Sequence, residues 1–225
     1  MTFTPQLAIL PPAQRVLWPW LAGLAPGGYV LYGGTAIALR YGHRVSVDFD
    51  FFTAQPLDQT GLNLALPWLR TATVLQEQPQ TLTVITTGEP EGATGVKLSW
   101  FGGLTMGRIG DPEPSSDGVA LVASPLDLLA TKLKVMLQRA ERKDYLDIAM
   151  LLRTGLPLAR GLAAARALYG PSFPISEALK ALVYFHDGDL AALPQSVREQ
   201  LEQEVRGVDE LPWLERTSLA LAPKP

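Results

Sequence analysis

The stretch that decides the fold runs from Tyr29 to Phe52 and reads YVLYGGTAIALRYGHRVSVDFDFF. Its first four residues are apolar and β-prone, and Gly33-Gly34 then permits a tight turn whose backbone N–H groups can face outward. Thr35 opens the helical run Ala36-Ile37-Ala38-Leu39-Arg40-Tyr41, and Gly42 stops it. Residues 44–52 read as a second strand, with Val45, Val47, Phe49 and Phe51 on one face and Ser46, Asp48 and Asp50 on the other. The two carboxylates therefore project the same way, roughly 6.5–7 Å apart along the strand. Bare N–H groups at a helix start, with glycines that allow close approach, make a phosphate cradle. Like charges placed together among apolar neighbours call for a cation between them, and Asp is a poor strand former without such a purpose. The plain alternative is a ligand-free turn followed by the solvated face of an edge strand.

Outward from this stretch, the chain changes character at about residue 123. Before it, short β-rich segments recur at 72–78, 81–87, 95–101 and 118–124, separated by the turn-rich stretches 88–95 and 110–118. After it, apolar residues recur at helical spacing. Ser124-Pro125-Leu126-Asp127 supplies a cap, a proline at the first helical position and an acid at the third, and a helix is expected to about Arg139. Further helices are expected at about 143–153, 158–169, 175–186 and 195–206, with a frayed tail over 219–225. The predicted organisation is an α+β unit over 1–123, a mixed sheet with helices, followed by a helical unit over 124–225.

Composition narrows the chemistry. The 225 residues include no Cys, which removes disulfides, thiolate metal sites and cysteine nucleophiles together. The two histidines, His43 and His186, leave oxygen ligands as the means of holding a metal, which favours Mg²⁺ or Mn²⁺. A hydrophobic fraction of 47% argues for a packed core, and no apolar run approaches the roughly 18 residues of a spanning helix, so no membrane is expected. The first residues lack a basic region ahead of their apolar stretch, so no secretory signal is expected and the cytoplasm is the default compartment. A net charge of −3 argues against a strongly basic nucleic-acid coat while leaving local basic patches open.

Gly33-Gly34-Thr35 followed by Arg44-Val45-Ser46-Val47-Asp48-Phe49-Asp50-Phe51 resembles the first motif of the AbiEii/AbiGii toxin family, within the DNA polymerase β-like nucleotidyltransferase superfamily. A second match lies in Leu126-Asp127-Leu128-Leu129-Ala130-Thr131-Lys132 and in Arg139 to Asp147. The resemblance implies a nucleotidyltransferase core with a helical C-terminal unit. It implies that Gly33, Gly34 and Thr35 bind nucleotide phosphates, with Arg44 and Ser46 beside them, and that Asp48 and Asp50 hold Mg²⁺ or Mn²⁺. Lys132, Asp144 and Asp147 join the catalytic set by the same resemblance.

In the second motif Asp144 and Asp147 are three apart, on one side of a helix, and Lys132 lies on the preceding helix, so the three could meet across the pair. A lysine there would balance triphosphate charge, and an acid could orient it or act as a base. An ordinary solvated helix start is the alternative reading. Lys132 is expected in the same cleft as Asp48, with Lys132→Ala weakening nucleotide use more than folding. The superfamily usually supplies a third carboxylate from a neighbouring strand, but no Asp or Glu occurs between Glu91 and Asp111. Two aspartates suffice, or Asp144 or Asp147 completes the set, or activity is impaired. Lys97 could touch phosphate or be a surface lysine. The resemblance further implies a toxin of a toxin–antitoxin or phage-defence system, with NTP as donor, RNA or tRNA as acceptor, and a cognate antitoxin as partner. A small-molecule acceptor, as in antibiotic nucleotidyltransferases, and an impaired fold acting by protein binding are the rivals. An RNA acceptor would need a basic groove, for which Arg40, Arg44, Lys132, Arg139, Arg142 and Lys143 are the candidates. Trp18, Trp20, Trp68 and Trp100 read as core rather than stacking platforms. In some relatives a Ser or Thr two residues before the metal aspartate is phosphorylated to silence the enzyme, which makes Ser46 a candidate for such control.

Overall fold

Strands and helices follow one another as α1 (Pro12–Leu17), β1 (Val30–Tyr32), α2 (Gly33–Tyr41), β2 (Asp48–Phe52), α3 (Gln59–Ala65), β3 (Thr73–Gln78), β4 (Thr81–Ile85), β5 (Lys97–Phe101), β6 (Glu113–Pro114), β7 (Leu121–Val122), α4 (Pro125–Val135), α5 (Arg142–Arg153), α6 (Leu158–Tyr169), α7 (Ile175–Leu182) and α8 (Gln195–Arg206). These come from a computed structural model that describes residues 2–223. The chain forms two compact units. One holds the residues up to Gly107, Asp111–Ser124 and the segment from Ser218; the other holds Arg108–Gly110 and Pro125–Thr217.

The first unit is built on a mixed sheet of order β3-β4-β5-β2-β1-β7-β6. β1 and β2 are antiparallel, with Tyr32 opposite Asp50, while β2 and β5 are parallel, with Asp48 opposite Lys97 and Asp50 opposite Ser99. One face is apolar because alternate residues of each strand are: Phe49, Phe51, Leu98 and Trp100 are essentially buried. An aromatic row crosses that face, with ring centroids 6.1 Å apart for Trp18–Phe49, 6.4 Å for Phe49–Phe51 and 6.2 Å for Phe51–Trp100. Helix α2 ends at Gly42, whose φ of +68° gives the left-handed stop that the sequence signals.

Three expectations need correction here. Val45 and Val47 are 62% and 58% exposed, since ladder pairing of this strand begins only at Asp48, opposite the first residue of β5. Trp20 is 55% exposed, on a 3-10 turn (Trp18–Leu21) that turns Trp18 and Leu21 inward instead. The tail is not wholly frayed: Leu221 is buried, while Lys224 and Pro225 lie outside the described residues.

In the second unit α4 and α6 pack closely, because a Cβ at Gly161 would collide with the Leu129 side chain. α8 lies against α5 and α7. Asp127 does not simply favour the start of its own helix. Its carboxylate accepts from the Ile109 and Gly110 backbone N–H groups, at 2.9 and 3.1 Å, and so ties that short segment to α4. Among the described residues no single helix is long and apolar enough to cross a membrane.

Arg40 looks like a candidate for nucleic-acid binding in sequence, but it is a buried strut. Its guanidinium sits 2.7 Å from Glu113, donates to the Val122 and Ala123 carbonyls, and covers the Phe3 ring at 4.4 Å. Arg40→Met should therefore cost about 2–3 kcal/mol of stability, by leaving two carbonyls and a carboxylate without their donor. Urea unfolding checks this, and a loss under about 0.5 kcal/mol would remove Arg40 from the structural account.

Candidate active site

The site begins where β1 hands over to α2. Tyr32, in extended conformation, precedes a helix whose first turn has no side-chain cap, so the amides around Gly33, Gly34 and Thr35 present donors at the positive end of the helix. Gly33 is required twice over. Its φ of +74° favours glycine, and a Cβ there would lie 2.7 Å from Asp50 Oδ2. The glycine turn and the second aspartate are thus in direct contact.

Thr35 is buried at 1% exposure, and its side chain faces the protein rather than the cradle. The Thr35 hydroxyl bonds both the Asp48 carbonyl and the Ser46 hydroxyl, the latter at 2.8 Å. A carbonyl can only accept, so Thr35 donates its single hydrogen there and the Ser46 hydroxyl donates to Thr35. This chain of two hydroxyls locks the start of α2 to the start of β2. What Thr35 offers a phosphate is its backbone N–H. Ser46 is 7% exposed, so a kinase would have to open this contact before reaching it. Arg44, on the connector before β2, donates to the Val45 carbonyl at 2.9 Å.

Asp48 and Asp50 are both half-buried on the polar face of β2. The Asp48 carboxylate has no hydrogen bond or ion pair among the described residues. The neighbouring strand offers no acid: Lys97 stands opposite Asp48, and buried Ser99, which bonds Thr83 at 3.3 Å, stands opposite Asp50. Among the described residues no group of three or more Asp, Glu, His or Cys side chains is placed to hold a metal. The donor set that exists is the Asp48 carboxylate, which has no partner among the described residues, with Asp50 two residues along the same face. That suits a hard divalent cation whose remaining positions are filled by water and phosphate oxygens.

In the second unit Lys132, Asp144 and Asp147 do come together. The lysine amine lies 2.6 Å from Asp144 Oδ1 and 2.7 Å from Asp147 Oδ2, and both acids are fully buried. Arg139 adds a contact at 3.0 Å to Asp144 Oδ2. The solvated helix start is thereby excluded. Spacing on α5 puts the two acids on one side, and Asp189 takes over the capping role by accepting from the Arg142 N–H at 2.6 Å. Tyr145 donates to the Ala181 carbonyl at 2.8 Å, and burial, followed by the charges of Asp187 and Asp144, pushes its phenol up to about 12.

Four of the six cations considered for a basic groove have acidic partners, two of them buried and two exposed. Arg40 and Lys132 are buried against carboxylates, and Arg139 and Lys143 both contact acids, with Lys143 2.8 Å from Glu141. Sequence reasoning missed the Glu113 and Asp189 partners. The one available hint was a lone arginine inside the apolar helix α2.

The sequence model of the family described as nucleotidyl transferase AbiEii toxin, type IV TA system, matches residues 22–109 and 111–214. An uncharacterized protein of Aquifex aeolicus (strain VF5) is 30% identical over 187 residues, which cover 79% of this chain and 86% of that relative.

The geometry alters what a Lys132 variant reports. With both acids fully buried, Lys132→Met removes the ammonium that lies against each of them, leaving Arg139 on Asp144, and should destabilise the helical unit by about 3–5 kcal/mol. Denaturant unfolding followed by circular dichroism checks this, and a loss below about 1 kcal/mol would show that the amine is not their counter-charge. Loss of activity in Lys132→Ala is therefore no clean measure of nucleotide use.

Proposed function

The protein belongs to the AbiEii nucleotidyl transferase toxin family of type IV toxin–antitoxin systems, and on that footing we propose that it moves NMP from NTP to an RNA hydroxyl using a divalent metal held by Asp48 and Asp50. Its mixed sheet and helices are those of a nucleotidyltransferase-like α+β fold. The observation that carries the reading is the Asp48 carboxylate, half-buried and without a partner, beside an uncapped helix start that touches Asp50.

The chain's own residues divide the work. The backbone N–H groups at Gly33, Gly34 and Thr35 bind and orient the phosphates of the nucleotide. Asp48 and Asp50 hold Mg²⁺ or Mn²⁺, which when bound lowers the cost of negative charge on the attacking and leaving oxygens. Thr35 and Ser46 fix the cradle relative to the start of the carboxylate strand. Arg44, on the connector just before that strand, is proposed to add positive charge for the nucleotide. Lys132, Asp144 and Asp147 are carried by family resemblance as residues needed for transfer, and the ion cluster they form supports at least a structural need for them. Membership of a toxin family supports a macromolecular acceptor and a cognate antitoxin. The absence of a third acid beside β2, among the described residues, favours as the second reading a catalytically impaired fold that acts through a protein partner.

Incubation with α-labelled NTPs, total RNA and Mg²⁺ or Mn²⁺ should transfer label to RNA. Asp48→Asn and Asp50→Asn should each lower transfer by at least about a hundredfold, roughly 2.7 kcal/mol or more, with an unchanged unfolding midpoint. Label on a small molecule alone would replace the RNA acceptor, and no transfer by the parent protein would favour the impaired reading. Near-parental activity in both variants would overturn the metal assignment.

A further inference from the structure

We infer that Lys97 is a polyphosphate-binding residue of this site, placed by the register of β5 on β2 to hold the end of the phosphate chain farther from the glycine cradle. The inference rests on the reading of Asp48 and Asp50 as the metal-holding pair and names a contact that pair cannot make.

Register fixes the position. Lys97 is the first residue of β5 and pairs with Asp48, the first of β2, in a parallel ladder. Paired residues share a face here. Phe51 and Trp100 meet on the apolar side with centroids 6.2 Å apart, and Phe52 and Phe101 meet on the other side at 5.3 Å. Ser99, two residues after Lys97, bonds Thr83 on this second side. Lys97 therefore stands on the face of Asp48 and Asp50, one strand spacing of roughly 4.8 Å away. It is exposed, and it has no ion pair or hydrogen bond among the described residues.

Strand order across the sheet supplies the function. β2 lies between β1 and β5 in the sheet. The cradle follows β1 and touches Asp50 through Gly33, so cradle and Lys97 flank the carboxylates on opposite sides, about two strand spacings or 10 Å apart. A chain of two or three phosphates crosses a gap of that order. It would begin on the cradle amides, pass over the metal, and end at the ammonium.

Charge makes the same demand. A divalent cation bound at Asp48 and Asp50 shifts the local charge by two units towards positive, with Lys97 and Arg44 already close by in register or in sequence. With a metal bound the site calls for an anion, whereas for the metal alone a lysine at this position opposes binding. A flexible ammonium is a point-charge phosphate ligand, suited to the mobile end of a polyphosphate. Lys97 should then act in opposite directions on the two ligands, which a lysine remote from the carboxylates would not do.

The test uses the full chain titrated calorimetrically with Mn²⁺ alone, and with inorganic tripolyphosphate at saturating Mn²⁺, for the parent, Lys97→Gln, Lys97→Glu and Asp48→Asn. Lys97→Gln should weaken tripolyphosphate about tenfold and tighten Mn²⁺ alone about two- to fivefold, with larger effects of the same signs in Lys97→Glu. Tripolyphosphate binding within twofold of the parent in both Lys97 variants, with Asp48→Asn abolishing Mn²⁺ binding, would overturn the Lys97 inference alone. Mn²⁺ binding unchanged in Asp48→Asn would overturn the metal reading and the inference with it. Because Lys97 is exposed, its variants should keep the parental unfolding midpoint.

Discussion

Two carboxylates carried two residues apart on one short central strand repel each other, and the groups around Asp48 and Asp50 are arranged about that repulsion. On one side Asp50 presses against a glycine that can have no side chain, at the start of a helix whose uncapped amides favour negative charge. On the other side stands a lysine rather than a third acid. The apolar face of the same strand anchors it, since Phe49 and Phe51 belong to the aromatic row that reaches Trp100. A strand with one polar face and one buried face cannot slip by a single residue without burying both aspartates, so the core sets the position of the charges.

The helical unit meets a similar problem in a different way. Asp144 and Asp147 are also two acids in one place, but they are fully buried and share a lysine, with Arg139 at the edge. A pair satisfied by protein cations is held in a fixed geometry, whereas Asp48, left without one, is free to take a cation from solution. The contrast is between two acids held by protein cations and one carboxylate without a partner among the described residues. It also explains why family resemblance and physics weigh differently on the two clusters.

Much of this was legible because the signals are local. Gly33-Gly34, the left-handed Gly42 and the alternation at Asp48–Phe51 are short-range devices, and helices α4 to α8 announce themselves by apolar spacing and by prolines such as Pro125. What stayed hidden depends on distant partners. The first paired residue of β2 is set by where β5 begins, so Val45 and Val47 looked like strand residues although they lie exposed on a connector. Arg40 finds Glu113 far along the chain, and no spacing rule links them. The candidate site was readable as a pair of carboxylates and a cradle. The inward-facing role of the Thr35 hydroxyl was not, because it depends on how the connector returns Ser46 to the helix start.

The central claim is that Asp48 and Asp50 share a divalent ion at the glycine cradle. Crystals grown with Mn²⁺ and a non-hydrolysable NTP analogue, measured at the manganese absorption edge, test it most directly. The account predicts an anomalous peak within about 2.0–2.3 Å of a carboxylate oxygen of each aspartate, with phosphate oxygens completing the coordination. A peak elsewhere, or none in crystals where the nucleotide analogue is bound, would contradict it.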